Sequence, residues 1–243
     1  MFSGHGWPKI LGFQSDTLQQ GINMFNKKIA IIAALSVAPF AAQAAVGDIS
    51  IGLGAGITQG TGFEIGYEVS DTVGVRAVNY SGKLSRTKSL DGISYNMTIK
   101  TKTPGLMFDF YPMKGRSLRF TAGAVSNGNS LSASATSQDN YIIGTTTYTA
   151  AEVGSLKSEI AFSGITPYVG LGYRMRAMKQ LSIDFDAGML IGSAPVVTMT
   201  ADGALKSDTT FVAELEKERK SLEGDLSSFR YLPMAKIAIT YKF

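Results

Sequence analysis

The 243-residue sequence has no cysteine, one histidine (His5) and one tryptophan (Trp7). Both of those single residues precede an export-type segment, so from residue 45 onward the chain carries no thiol, imidazole or indole. This excludes disulfide scaffolding, cysteine nucleophiles and the histidine general bases on which catalytic triads depend. Long apolar runs are also lacking: after Phe40 none reaches the ~20 residues that a membrane-spanning helix requires. Strong charge is missing as well. The net charge of +4 falls to about +2 once Lys9, Lys27, Lys28 and Asp16 are set aside, too mild to point to a nucleic-acid partner. No metal or cofactor site is expected.

What is present begins with Met24–Ala44, which reads MFNKKIAIIAALSVAPFAAQA. Two lysines, an apolar run from Ile29 to Phe40 and the small-x-small triplet Ala42-Gln43-Ala44 form a secretory signal peptide, with cleavage after Ala44. Residues 1–23 read as an upstream extension from a misplaced start. Residues 45–243 are one domain's worth of chain.

In that domain the dominant pattern has period two. At the C-terminus, Tyr231–Phe243 places Ile237, Ile239, Tyr241 and Phe243 on one face, and Lys236, Thr240 and Lys242 on the other. The same alternation recurs from Asp48 to Thr58, Gly62 to Val69, Val73 to Ser81, Ile93 to Tyr111, Leu118 to Ser130, Ile165 to Arg176 and Leu181 to Met199. With the last strand this makes eight. Each crossing is near the 9–11 residues of a tilted membrane strand, and a sheet in lipid must close on itself to pair every backbone group. Within Ile93–Tyr111 the apolar face moves from odd positions (Tyr95, Met97, Ile99) to even ones (Leu106, Phe108, Phe110), which predicts a bulge at Thr103-Pro104-Gly105. Connections after the second, fourth and sixth strands are tight. Those after the third, fifth and seventh are long and polar, an asymmetry typical of outer-membrane barrels. The connection near Gly60-Thr61 is short despite lying at the long-loop end.

One insertion has helical period. Asp208–Phe229 spaces Phe211, Leu215, Leu222, Leu226 and Phe229 near 3.6 residues, with Asp208 or Thr209 as N-cap. It predicts an amphipathic helix in the last external loop, either a lid or partner-binding element or a helix packed on the barrel rim.

The inward faces carry the charges. Glu68 with Arg76, Asp109 with Arg119, and Asp184 with Arg174 form one carboxylate–arginine set per tight hairpin, extended by Glu64, Asp186 and Arg176. Buried charges must be paired, and an eight-stranded barrel has an interior about filled by side chains. Two readings fit: a lumen plugged by ion pairs, or a narrow polar path for a zwitterionic or cationic solute. Asp184 and Asp186 are the one carboxylate pair that could act catalytically without histidine. Their arginine neighbours favour structural neutralisation, and no enzyme activity is expected. Gly52-Leu53-Gly54 and Gly170-Leu171-Gly172 lie inside alternating strands, where glycine makes room in a narrow lumen.

Two resemblances add to this reading. Lys236, Ala238, Tyr241 and Phe243 are similar to the C-terminal assembly signal of bacterial outer-membrane barrels, with Ala238 where that pattern prefers glycine. The segments Thr166–Tyr173 (TPYVGLGY), Gly192–Val197 (GSAPVV), the charged stretch Ala213–Lys220 and Tyr231–Met234 resemble the CarO-like small outer-membrane proteins. That resemblance implies an eight-stranded barrel, a link to carbapenem susceptibility and uptake of basic amino acids such as ornithine. The expectation is therefore an all-β, eight-stranded antiparallel transmembrane barrel with one external-loop helix, monomeric because a closed sheet has no free edge. Its expected location is the outer membrane of a Gram-negative cell, and its expected partners are outer-membrane lipid and the barrel assembly machinery. It is either a small porin-like protein admitting small polar or cationic solutes, or a non-conducting structural or surface-interaction barrel.

Overall fold

The structure, a computed structural model, describes residues 47–90, 93–113, 115–137, 140–143 and 146–243. The upstream extension, the signal peptide and its Ala44 cleavage site lie outside the described residues.

The strands are β1 (Ile49–Gly56), β2 (Gly60–Glu68), β3 (Val73–Leu90), β4 (Ile93–Lys102), β5 (Gly105–Phe110), β6 (Leu118–Ser126) and β7 (Ser130–Ser137). A short hairpin, β8 (Tyr141–Ile143) and β9 (Thr146–Tyr148), and a helical turn α1 (Ala150–Val153) follow. Next come β10 (Ser155–Ala161), β11 (Ile165–Arg176), β12 (Leu181–Ile191) and β13 (Val196–Ala201). Helix α2 (Thr209–Asp225), a 3-10 turn (Leu226–Arg230) and β14 (Tyr231–Lys242) complete the chain.

Eight of these strands close a transmembrane antiparallel barrel in the order β1-β2-β3-β5-β6-β11-β12-β14, with β14 pairing back onto β1 from Lys242 opposite Ser50 to Lys236 opposite Gly56. The alternation read from the sequence sets the faces. Leu53, Leu106, Phe108, Leu171, Tyr173 and Ile239 are more than half exposed on the outer wall, an apolar belt of the kind that faces lipid in outer-membrane barrels. Even-numbered partners such as Arg76, Arg174 and Asp184 point inward and are buried.

Beyond one rim the wall continues as an open sheet in the order β3-β4-β7-β10-β13. One face of it is apolar. Tyr95, Ala135, Leu156, Tyr141, Tyr148 and Val153 pack there with Phe211 and Leu215 of α2, and the rings of Tyr148 and Phe211 meet edge to face at 5.1 Å. Helix α2 is capped by Asp208, whose side chain accepts from the Phe211 N–H at 2.9 Å, and it packs chiefly on β13. The helix therefore sits on this outer sheet, not on the barrel rim. Of the predicted stripe, Phe211, Leu215 and Leu226 are buried, Leu222 is half-buried and Phe229 is exposed. The guanidinium of Arg219 donates to the Val197 carbonyl at 3.2 Å, occupying part of the sheet's terminal edge.

The bulge expected at Thr103–Gly105 is not found. Lys102 lies opposite Ser81 and Gly105 opposite Val78, so the register along β3 runs through the break without an extra residue, and Thr103 N–H donates to the Tyr80 carbonyl. Odd positions keep facing inward from Tyr95 through Met107 to Asp109. The apolar face switches because the environment does: β4 lays its inner face on the α2 core, whereas β5 turns its outer face to lipid. What changes at Thr103-Pro104 is the second neighbour, β7 for β4 and β6 for β5.

Candidate functional site: the barrel lumen

Because each barrel strand alternates, the lumen collects one or two polar side chains per strand. Glu64 and Glu68 come from β2, Arg76 from β3, Asp109 from β5 and Arg119 from β6. Arg174 comes from β11, Asp184 and Asp186 from β12, and Lys236 from β14. Arg116 joins them from the β5–β6 turn.

Arg174 and Asp184 face each other in register, and the guanidinium meets the carboxylate through Nε at 2.8 Å and Nη2 at 3.1 Å. Arg119 grips Asp186 through Nη2 at 2.7 Å to both oxygens, reaches Asp184 at 3.5 Å, and lies 3.9 Å from Asp109. Arg76 binds Asp109 through Nε and, at 2.9 Å, through Nη2, and it also meets Glu64 at 2.6 Å. Lys236 pairs with Glu64 and, at 3.1 Å, with Asp186. Glu68 lies 3.4 Å from Arg174 and 2.5 Å from Arg116 Nη1, the latter a contact of charges without hydrogen-bond alignment. Hydroxyls complete the shell: Thr121 donates to Asp109 at 2.6 Å, Thr240 to Asp184 at 2.9 Å, and Tyr80 to Glu64 at 2.7 Å.

Five cations (Arg76, Arg116, Arg119, Arg174, Lys236) thus face five carboxylates (Glu64, Glu68, Asp109, Asp184, Asp186), and none of the ten side chains is more than 8% exposed. At the short-turn end Arg116 also donates to the carbonyls of Asp71 and Ser70 and lies over the Tyr111 ring at 5.0 Å, tying the lumen floor to the β2–β3 turn. Toward the other rim an apolar layer of Val78, Tyr80, Met107, Val125, Tyr168, Leu190 and Met234 covers the charges.

One of the hairpin pairs read from the sequence, Glu68 with Arg76, is corrected. The register sets Glu68 opposite Gly74 and Arg76 opposite Gly66, so those two turn to other partners. Asp109 faces Thr121 in register, so Arg119 keeps Asp109 only at 3.9 Å and makes its shorter contacts with Asp186. Arg176 is half-buried at the short-turn rim, and among the described residues no ion pair joins it to the cluster. Sequence reasoning did not place Arg116, which sits in a turn with φ of 54° where strand parity gives no signal. Lys236, a member of the terminal assembly motif, also takes a lumen role from its position on the inward face of β14. Of that motif, Ala238 is buried in the lumen while Tyr241 and Phe243 point outward, their rings 5.1 Å apart.

Asp184 and Asp186 are each held by arginine, Asp184 also by Thr240 and Asp186 also by Lys236. This arrangement leaves both carboxylates occupied by partners from the barrel wall.

Comparison with solved structures matches this geometry. The Acinetobacter baumannii CarO2 structure superposes with a TM-score of 0.59 at 17% identity, covering 82% of this chain and 100% of that one. The CarO structure from the same organism gives 0.55 at 16% identity, covering 81% of this chain and 98% of that one. This chain has the CarO fold. The resemblance seen from Thr166 onward extends in three dimensions to the whole barrel. No protein-family model matches the sequence, and a search of curated proteins returns no match.

Proposed function

We propose that this chain is a small outer-membrane barrel whose lumen is closed, and that its work is done by the wall and by the sheet and helix standing outside the membrane. The observation that carries this reading is the five-to-five charge balance in the lumen with every member buried. A path for a cationic solute needs carboxylates free to exchange partners. Here each carboxylate already holds at least one cation, and Tyr80, Tyr168, Met107 and Met234 seal the charges from the long-loop side. The lipid belt supports an outer-membrane location, and the likeness to CarO supports the same placement.

Osmotic swelling of liposomes carrying the refolded chain from Ala45 tests it, with ornithine, arginine, glutamate and a neutral sugar of similar size. No swelling with any solute, from a barrel shown to be folded by heat-modifiable gel migration, is the expected result. Swelling that favours the basic amino acids would overturn it and favour the porin-like reading, with Glu64, Glu68, Asp184 and Asp186 as the residues to change next.

A further inference from the structure

The outer sheet has a second face, opposite the one that α2 covers, and it continues the lipid-facing wall of the barrel. Its first row above the belt is basic. Lys83 on β3 and Lys100 on β4 are direct cross-strand partners, and Lys102, opposite Ser81, lies one row closer to the barrel. All three are exposed. Two ammonium groups placed opposite each other on one sheet face repel and cost stability, so the pair is favoured by a bound anion. Among the described residues no salt bridge reaches Lys83, Lys100 or Lys102. The one carboxylate on the strands of this face, Glu159, lies opposite Ser132, two strands from Thr98 on β4.

Height and neighbours define the missing anion. Leu106, 64% exposed, is the last large apolar side chain facing outward on this strand line, and half-buried Pro104 is the last apolar residue. Lys102 is two residues above Pro104, roughly 7 Å along the strand and about 5 Å along the membrane normal at a tilt near 45°. That is the level of the headgroups, which reach roughly 5–8 Å beyond the hydrocarbon on each side, and the Lys83–Lys100 row lies about 5 Å higher, at their outer margin. Above the lysines the same face is a flat array of hydroxyls and amides held across strands. Ser85 meets Thr98 at 3.0 Å, Thr87 donates to Asn96 at 2.6 Å, and Ser134 meets Ser155 at 3.1 Å. Such an array offers donors and acceptors to a sugar.

We infer that Lys83, Lys100 and Lys102, with the Ser/Thr face above them, form a lateral binding surface for a phosphorylated glycolipid of the outer leaflet, the lysines taking its phosphates and the hydroxyls its sugar. The lysine stems are suited to this, since long basic side chains lie along apolar surface and place their charge at the interface. Lys102 is also fixed at its backbone, where its N–H donates to Asn129 Oδ1 at 3.0 Å and its carbonyl accepts from Gly128 N–H at 2.9 Å. The inference rests on the membrane placement proposed above.

The test is native mass spectrometry of the refolded chain released from nanodiscs that contain bis-phosphorylated lipid A, dephosphorylated lipid A or phosphatidylglycerol in a neutral background. The wild type is expected to retain bis-phosphorylated lipid A at least about tenfold more than either other lipid. Lys83→Gln/Lys100→Gln/Lys102→Gln should lose that retention, and the corresponding triple arginine variant should keep it. Lys206→Gln/Lys217→Gln/Lys220→Gln, which removes the same charge from the α2 side, should behave as wild type. Equal retention by the first triple variant, equal retention of the dephosphorylated lipid, or displacement by millimolar inorganic phosphate would each overturn the inference. A chain that fails to enter nanodiscs at all would instead overturn the membrane placement, so the two failures are distinguishable.

Discussion

Arg119 is the side chain on which the closed lumen depends most. It is fully buried and lies within 4 Å of three carboxylates, those of Asp186, Asp184 and Asp109. Arg119→Met keeps most of the stem volume but leaves five buried carboxylates facing four cations. Removing one partner of a buried ion pair costs about 3–5 kcal/mol, because the remaining charge is left uncompensated away from water. The double variant Arg119→Met/Asp186→Asn restores the balance. Arg76 keeps Glu64 and Asp109, Lys236 keeps Glu64, and Asp184 keeps Arg174. Its total cost should be no more than about 1–2 kcal/mol, so that a double-mutant cycle returns a coupling of at least ~2 kcal/mol. Reversible urea unfolding from lipid vesicles, followed by circular dichroism and heat-modifiable migration, measures both. A single variant costing less than ~1 kcal/mol would refute the claim that these charges are paired away from water. A double variant as damaging as the two single changes added together would refute the claim that balance is what stabilises them.

Gly172→Ala should cost about 1–3 kcal/mol by overpacking, since an added Cβ would overlap Arg119 Nε and Asp186 Oδ1; the same urea titration checks it, and a neutral result would place those groups elsewhere. Phe211→Ala removes a buried ring from the α2 core and should cost that unit about 3–5 kcal/mol. Limited proteolysis should then cut α2 while the barrel stays heat-modifiable, and loss of both together would show that the two units fold as one. Outside the membrane, Asp202 accepts from Ser155 N–H at 2.6 Å and from Lys157 at 3.1 Å. The Ser155 N–H, with Lys157 beside it, holds its carboxyl below the usual range. A lowered folded-state pKa means that the clamp is present above the ordinary carboxylate pKa and is lost as pH falls through the lowered one. Protection of the Ser155 amide in hydrogen exchange, corrected for intrinsic rate, should therefore drop below about pH 4. In Asp202→Asn it should be low at every pH, and unchanged protection in wild type at acid pH would refute the clamp.

The barrel was legible because lipid imposes a one-sided constraint on every strand. Residues such as Leu53, Phe108, Leu171 and Ile239 had to be apolar at alternate positions, and no other environment demands eight such runs joined by alternating short and long connections. The outer sheet was less legible for the same reason. In β7 the buried residues are Ala133 and Ala135, small side chains among serines, so the contrast between faces is too weak to read. β4 carries a strong pattern, but its inward side joins the α2 core through Tyr95, and the apparent phase flip at Thr103 marks a change of apolar environment, not of register.

The lumen was legible in its membership and less so in its pairing, for a reason that the glycines make visible. Hairpin neighbours were paired by proximity in sequence, yet direct pairing requires register, and of the three sets only Arg174 and Asp184 are opposite each other. Glu68 and Arg76 each face a glycine, Gly74 and Gly66. In a barrel this narrow a glycine opposite a charge leaves that side chain without a direct partner and with room to turn to another. Gly172 is opposite Arg119 on one side and Asp186 on the other, so the bond between β6 and β12 forms across β11, over the place where a side chain is missing. Read this way, the inward glycines of a small barrel decide which charges meet. An inward Gly flanked in register by an acid and a base predicts a pair two strands apart that sequence proximity will always misassign.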